Sequence, residues 1–525
     1  MAEKRSVWFK VGIAAAIAFV VLVIVVEVVV RQAAPILQGR IVETLSTHFK
    51  SRVELTNLRV SLLRGLEVSG DGLKIYPPDS VMAAGARDPL IALEHFSFHS
   101  GIIGLFFKPM HVGTVAVTGL EIKIPPREMR RQAGASDDRK SGKIKIVVDE
   151  IVCDNSRLII GTSKPDKDPK DFELKHIVLQ NVGPNSPWKY QATLTNAVPR
   201  GEIHSTGTFG PWQTENPGDS SVTGHYTFEH ADLNTIKGIG GILSSIGDFK
   251  GQLDRIDIHG TTETPDFSID TANHPMSLHT RFHAIVDGTS GDTYLQPVDA
   301  QLGGSHFTTS GAVINIKGKG HRIALDVDVS DCQLQDFLAL AVKTEPPVMS
   351  ALISTKAKLQ IPPGTESVSQ KLGLDGKFML KNIHFTNREV QDKVDMLSLR
   401  AQGKPEKARP GAADIASQMQ GRFILNAGVL QFSELAYKLP GANVNLLGEY
   451  SLDGQKFEFH GHVLTKASIS QMVDSWWKSL LLQPASLMFK KKGGGADIPV
   501  TISGTKGKPK FGIDVFNHAG KEHTP

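Results

Sequence analysis

The feature that most restricts this chain is a two-residue alternation of apolar and polar side chains that recurs over most of its length. Ile323, Leu325, Val327 and Val329 alternate with Arg322, Ala324, Asp326 and Asp328. Ile256 and Ile258 alternate with Arg255, Asp257 and His259, and Phe457 and Phe459 with Lys456 and Glu458. Successive side chains of a strand point to opposite faces, so each run makes a strand with one apolar face. The 3.6-residue period of a helix nearly disappears from Val53 onward. The expected fold is therefore mainly β.

Turn chemistry supports this. Asp71-Gly72, Asp287-Gly288, Asp375-Gly376 and Asp453-Gly454 offer the positive φ of tight hairpins, and Pro440-Gly441 does so between Leu435–Leu439 and Asn443–Tyr450. Residues 421–464 thus predict a meander of antiparallel strands. Fifty glycines and 28 prolines, against six tyrosines and five tryptophans, fit many short elements. Leu73–Pro78, Leu120–Pro126 and Leu359–Pro363 each end an alternating run in a double proline, which has no N–H to continue a ladder. They read as weak structural repeats. Ile498–Ser503 and Lys510–Phe516 predict the last strands. Arg130–Lys143 and Gln402–Ser417 are polar and aperiodic. They read as a linker (130–143) and a loop (402–417) separating sections 31–129, 144–401 and 418–525.

Val11 to Val30 is a twenty-residue run with one charge, Glu27. At about 1.5 Å per residue it matches an apolar bilayer core of about 30 Å. Val11, Phe19, Val20, Leu22, Ile24 and Val30 are among the residues of this expected anchor. A cleaved signal peptide would have a shorter apolar region ending in small residues, whereas this run ends Val30-Arg31-Gln32. Lys4, Arg5 and Lys10 precede the run, so residues 1–10 are expected in the cytoplasm and the body on the far side. Leu37, Ile41, Leu45, His48 and Phe49 then predict a short amphipathic helix over 35–49.

A second helix is expected over 468–489. Ile469, Met472, Val473, Trp476, Trp477, Leu480 and Leu481 form an apolar stripe, Ser468 and Gln471 a capping box, and Lys490, Lys491 and Lys492 a basic end. Such a helix either caps the open end of a β structure or lies at a membrane interface.

Signatures of chemistry are missing: no G-x-S-x-G, no phosphate-binding loop, no H-E-x-x-H. Asp287–Asp292 imitates a calcium loop but lacks its spaced oxygen ligands, and reads as a turn. Asp326, Asp328 and Asp331 could approach a cation, but the first two sit on the polar face of an alternating strand. His204, His225, His259, His384 and His460 scatter singly. No enzyme activity, cofactor or metal is expected. Cys153 and Cys332 fit no metal spacing; an exported body could pair them, and two free buried thiols are the plainer reading. A net charge of +4 from 58 basic and 54 acidic residues leaves no nucleic-acid footprint.

The anchor with the 35–49 helix, the passage Leu55–Ile75 (LTNLRVSLLRGLEVSGDGLKI), Gly201–Tyr226 with GEIHSTGTFGPW, and Gly421–Phe516 with GVLQFSELAYKLPGANVNLLGEYSLDG and IPVTISGTKGKPKFGIDVF together resemble the AsmA-like family of envelope proteins, related to the TamB-type proteins. These are glycine-and-alternation patterns that specify architecture more than activity. The resemblance implies a single-pass bacterial inner-membrane protein with a periplasmic body. It also implies a long, twisted antiparallel sheet forming a groove, akin to chorein-type bridge-like lipid transfer proteins. The expected partners are phospholipids, the inner membrane, and the outer membrane or its proteins. The expected function is to bind phospholipid in the groove and support its transport to, or the maintenance of, the outer membrane. The alternative is a periplasmic scaffold or assembly factor that pairs strand edges with outer-membrane proteins.

Overall fold

The computed structural model describes residues 51–61, 66–83, 85–100, 110–124, 146–161, 170–183, 186–211, 217–272, 274–342, 346–452, 456–472, 494–505 and 508–513, with scattered positions between 20 and 46. The described chain is mainly β, with 26 strands in one sheet. It divides into two compact units: 1–229 with 246–258 and 285–292, and 230–245 with 259–284 and 293–525.

The first unit is built from β1 (Ser51–Glu54), β2 (Asn57–Ser61), β3 (Leu66–Pro78), α1 (Asp79–Ala83), β4 (Ile91–Ser100), β5 (Met110–Thr118), β6 (Glu121–Ile124), β7 (Ile146–Ile160), β8 (Lys170–Val182), β9 (Trp188–Ala197) and β10 (Arg200–Phe209). β11 (Ser221–Asp232), β13 (Ile242–Gln252), β14 (Arg255–Ile269) and β15 (Met276–Val286) contribute residues to both units, and the two-residue β12 (Ile239–Gly240) to the second. Neighbours are antiparallel except that β7 runs parallel to β5 and β6, a departure from the all-antiparallel expectation. β5 and β6 act as one strand broken at Gly119, wedged between β4 and β7.

Register aligns the apolar residues into rows across the strands. One row runs Leu58, Gly70, Phe96, Val117, Cys153, Ile177, Ala192 and Ser205. A second runs Val53, Ile75, Ile91, Ile122, Leu158 and Phe172. Between the rows the sequence changes parity, while the pairing register runs on unshifted from β3 to β8. Gly72 (φ 66°), Gly119 (φ 66°) and Asn155 (φ 49°) hold left-handed backbone at the point where the parity changes. This corrects one expectation: Asp71-Gly72 is no hairpin turn but lies inside β3.

The second unit continues with β16 (Thr293–Leu302), β17 (Ser305–Ile316), β18 (Gly320–Gln333), α2 (Leu334–Ala341), β19 (Met349–Ile361), α3 (Val368–Lys371), β20 (Gly373–Phe385), α4 (Arg388–Ala401), β21 (Ser417–Asn426), β22 (Val429–Leu439), β23 (Ala442–Ser451), β24 (Phe457–Thr465), α5 (Ile469–Met472), β25 (Ala496–Thr505) and β26 (Lys508–Ile513). From β16 on, each strand pairs antiparallel with the next, and the predicted meander over 421–464 is present as β21 to β24. Pro440-Gly441 makes the expected tight turn, with Gly441 at φ 90°. Asp375-Gly376 does not: it lies within β20.

Two helices depart from the sequence reading. The fourteen-residue α4 and the eight-residue α2 interrupt what the alternation presented as unbroken β. α4 is polar overall and its apolar positions are few, so its periodicity is faint; it is fixed by its contacts instead. Asn387 caps it by accepting from the Glu389 and Val390 amides at 2.9 and 3.3 Å. Its buried face packs with α2 over one end of the sheet, in a core that holds Leu334, Leu380, Ile383, Ala401, Tyr437, Val444 and Val463. The loop after α4 is held down too, its Gly411 and Ile415 amides donating to Asp392 and Asp395 at 2.8 and 3.1 Å.

Candidate functional site

Beyond the helix-covered end, the apolar face of the second unit carries two long rows. Leu325, Leu359, Leu374, Leu425, Leu430, Tyr450 and Phe457 are successive register partners from β18 to β24. The neighbouring row runs Val327, Ala357, Gly376, Phe423, Phe432, Gly448, Phe459 and Ile502. Most of these side chains are half-buried, unlike Ile383 and Ala401 at 0% exposure beneath the helices. The face is thus apolar, sheltered by its own neighbours and, among the described residues, not sealed by a second layer of strands.

An unbroken chain of rings crosses it. Phe378 meets Phe423 at 5.9 Å and Phe432 at 6.1 Å; Phe432 meets Phe459 at 5.9 Å; Phe459 meets Phe457 at 6.5 Å, and Phe457 stacks with Tyr450 at 6.4 Å. Edge-to-face and offset pairs of this kind hold aromatic side chains in place. Glycines allow a close approach of neighbouring strand and ring: a Cβ on Gly448 would stand 2.1 Å from the Glu458 carbonyl oxygen and 2.8 Å from the Phe459 ring, and one on Gly421 2.2 Å from the Glu434 carbonyl oxygen and 3.2 Å from Phe378. The surface offers apolar contact and nothing reactive.

The other face is charged and self-neutralising. Lys356 pairs with Asp328 at 2.9 Å, Arg422 with Asp375 at 3.2 Å and Lys381 with Asp331 at 3.0 Å. A cleft of 570 Å³ on this side is lined by Asp326, Asp328, Lys356, Lys358, Asp375, Lys377 and Arg422 among others. Its charges of both signs are solvent-exposed and mostly paired on the spot, which gives such a cleft little hold on a ligand. The Lys381 ammonium and the Ser354 hydroxyl hold the Asp331 carboxyl below the usual carboxylate range.

The residues singled out from sequence fall as follows. His204, His225, His384 and His460 each lie beside a carboxylate, of Glu202, Asp248, Asp414 and Glu458. His259 stacks on His283. The Asp287–Asp292 segment is a turn whose Asp287 accepts from Thr289, Ser290 and Gly291. Cys153 and Cys332 are both buried and free, and burial, with Asp154 nearby, pushes the Cys153 thiol up to about 11. Burial likewise raises the Tyr437 phenol to about 12, although the Ser417 hydroxyl at 2.7 Å eases it.

Of the proposed membrane anchor, only Val20 and Val21 are described, both helical and over half exposed; Val11, Phe19, Leu22, Ile24 and Val30 lie outside the described residues. Among the described residues no helix is long and apolar enough to cross a membrane. The described positions between 35 and 46 are helical, as the 35–49 helix requires, and Val42 packs against Leu55, Leu58, Val60 and Val68. Near the C-terminus, Ile469 and Met472 form α5, and Gln471 Oε1 accepts from the Ser468 amide at 3.0 Å, half of the predicted capping box. Val473, Trp476, Trp477, Leu480, Leu481 and Lys490, Lys491 and Lys492 lie outside the described residues, as does the 130–143 linker. What the sequence reading missed is the ring chain: each phenylalanine looked like an ordinary strand residue, and only register brings the six together.

No family model matches the chain, and no curated protein or solved structure does either.

Proposed function

We propose that this protein binds the acyl chains of phospholipids along the apolar face of its sheet. As a membrane-anchored envelope protein, it would thereby support phospholipid movement to, or maintenance of, the outer membrane. The observation that carries the reading is the pair of continuous apolar rows with the Phe378–Tyr450 ring chain, half-buried and left without a covering strand layer among the described residues. A contiguous apolar face is suited to binding apolar chains. The resemblance to AsmA-like envelope proteins points the same way.

The mechanism is passive. Each methylene laid on the face gains about 0.8 kcal/mol. Ten in contact give roughly 8 kcal/mol, before the loss of translational and conformational freedom is subtracted. The headgroup stays in water, so no residue needs to recognise it, and no bond is made or broken. Movement along the rows exchanges one apolar contact for another and breaks no bond.

The test is native mass spectrometry of the full chain purified in mild detergent, together with chloroform extraction of the same sample. Phospholipid retained at one or more molecules per chain supports the proposal. A chain that carries no lipid and takes up none from added vesicles overturns it.

A further inference from the structure

β14 and β15 lie side by side. The Thr262 and Thr280 hydroxyls meet at 2.7 Å, and Glu263 meets His279, so the contacts step in opposite directions along the two strands, as antiparallel neighbours require. Continuing the same steps brings His259 opposite His283. Their imidazoles stack with centroids 4.1 Å apart and planes 12° from parallel, and ring nitrogens of the two lie within 4.8 Å. His259 is exposed and His283 half-buried, and both belong to the polar face, with Glu263, His279 and the Arg281–Asp299 pair at 3.1 Å.

We infer that His259 and His283 form a two-imidazole site for one divalent transition-metal ion. Imidazole suits zinc, copper and nickel and is a poor ligand for magnesium or calcium. Two nitrogens bound to a common zinc at about 2.0–2.1 Å each sit roughly 3 Å apart in tetrahedral geometry. The stacked rings need only a side-chain rotation to reach that spacing. The backbone already fixes the two Cβ atoms as cross-strand neighbours, so the chelate closes without a large ordering cost. A bound ion would clip β14 to β15. The inference does not depend on lipid binding, since the site lies on the polar face.

Zinc titrated into the full chain, followed by calorimetry, is expected to bind one ion per chain at this site and to raise the thermal midpoint. His259→Ala and His283→Ala should each weaken binding by at least about tenfold, the scale on which even outer-shell changes act. His279→Ala, which alters an exposed histidine outside the pair, should bind as the unaltered chain does. A measurement independent of variant folding is carbethoxylation of the unaltered chain read by mass spectrometry, in which zinc should protect His259 and His283. Equal zinc binding by the three variants and the unaltered chain overturns the inference. So does protection that falls on other histidines, or the absence of stoichiometric binding.

Discussion

Phe96 lies across Gly70: a Cβ built on that glycine would stand 2.5 Å from the Phe96 ring and 3.1 Å from the Asn57 carbonyl oxygen. The two are register partners on β3 and β4, and the ring occupies the space the missing side chain leaves. Gly70→Val should therefore push Phe96 off the row and cost about 1–3 kcal/mol, the usual range for overpacking. Chemical denaturation of the variant against the unaltered chain measures it.

Ile383 is fully buried where α4 crosses the sheet. Ile383→Ala removes that contact and leaves a cavity, with an expected loss of about 2–5 kcal/mol. Hydrogen exchange should show the weakened protection in β20, β21 and α4 and leave β3 and β4 unchanged, because these belong to the other unit.

Asn387→Ala takes the cap from α4 and leaves the Glu389 and Val390 amides to water. The expected cost is about 1 kcal/mol. Asn387→Asp should retain most of it, which urea unfolding of the two variants side by side will show.

Cys153 is 2% exposed, and its thiol is raised from an ordinary 9.0 to about 11. The neutral thiol is what the fold accommodates, so its contribution is complete below pH 9 and fades as pH rises towards 11. At about 1.4 kcal/mol per unit, the loss reaches at most about 3 kcal/mol. Cys153→Ala should remove this alkaline decline, read from thermal midpoints between pH 8 and pH 11. Thiol reagents at pH 8 should leave Cys153 unmodified in the folded chain.

Phe432 sits at the centre of the ring chain, within reach of both Phe378 and Phe459. Phe432→Asp places a charge in the apolar row, and lipid carried by the purified chain should fall by about tenfold or more. Lys356→Gln on the opposite face should leave it unchanged. Phosphorus assay of extracted lipid per chain decides between them, with far-UV circular dichroism confirming that both variants remain folded.

Much of the architecture was legible because a strand's side-chain period is local. Ile323 to Val329 announced β18, and Pro440-Gly441 the turn between β22 and β23. The aspartate–glycine pairs were less faithful, since a glycine can sit inside a strand as well as in a turn: Gly72 takes a positive φ within β3 without ending it, and Asp375-Gly376 sits in the pleat of β20. α4 escaped notice because its sequence, REVQDKVDMLSLRA, is mostly polar and is held by packing on Ile383 and Tyr437, residues that precede and follow it.

The sequence by itself determined that this chain makes strands with one apolar face, since alternation is a property of neighbours along the backbone. Only the tertiary structure decided which apolar residues meet. Register set Phe378, Phe423, Phe432 and Phe459 into one chain of rings, and His259 against His283. Strand pairing is a contact between distant segments, and a slip of one residue would invert every face, so no local pattern can fix it.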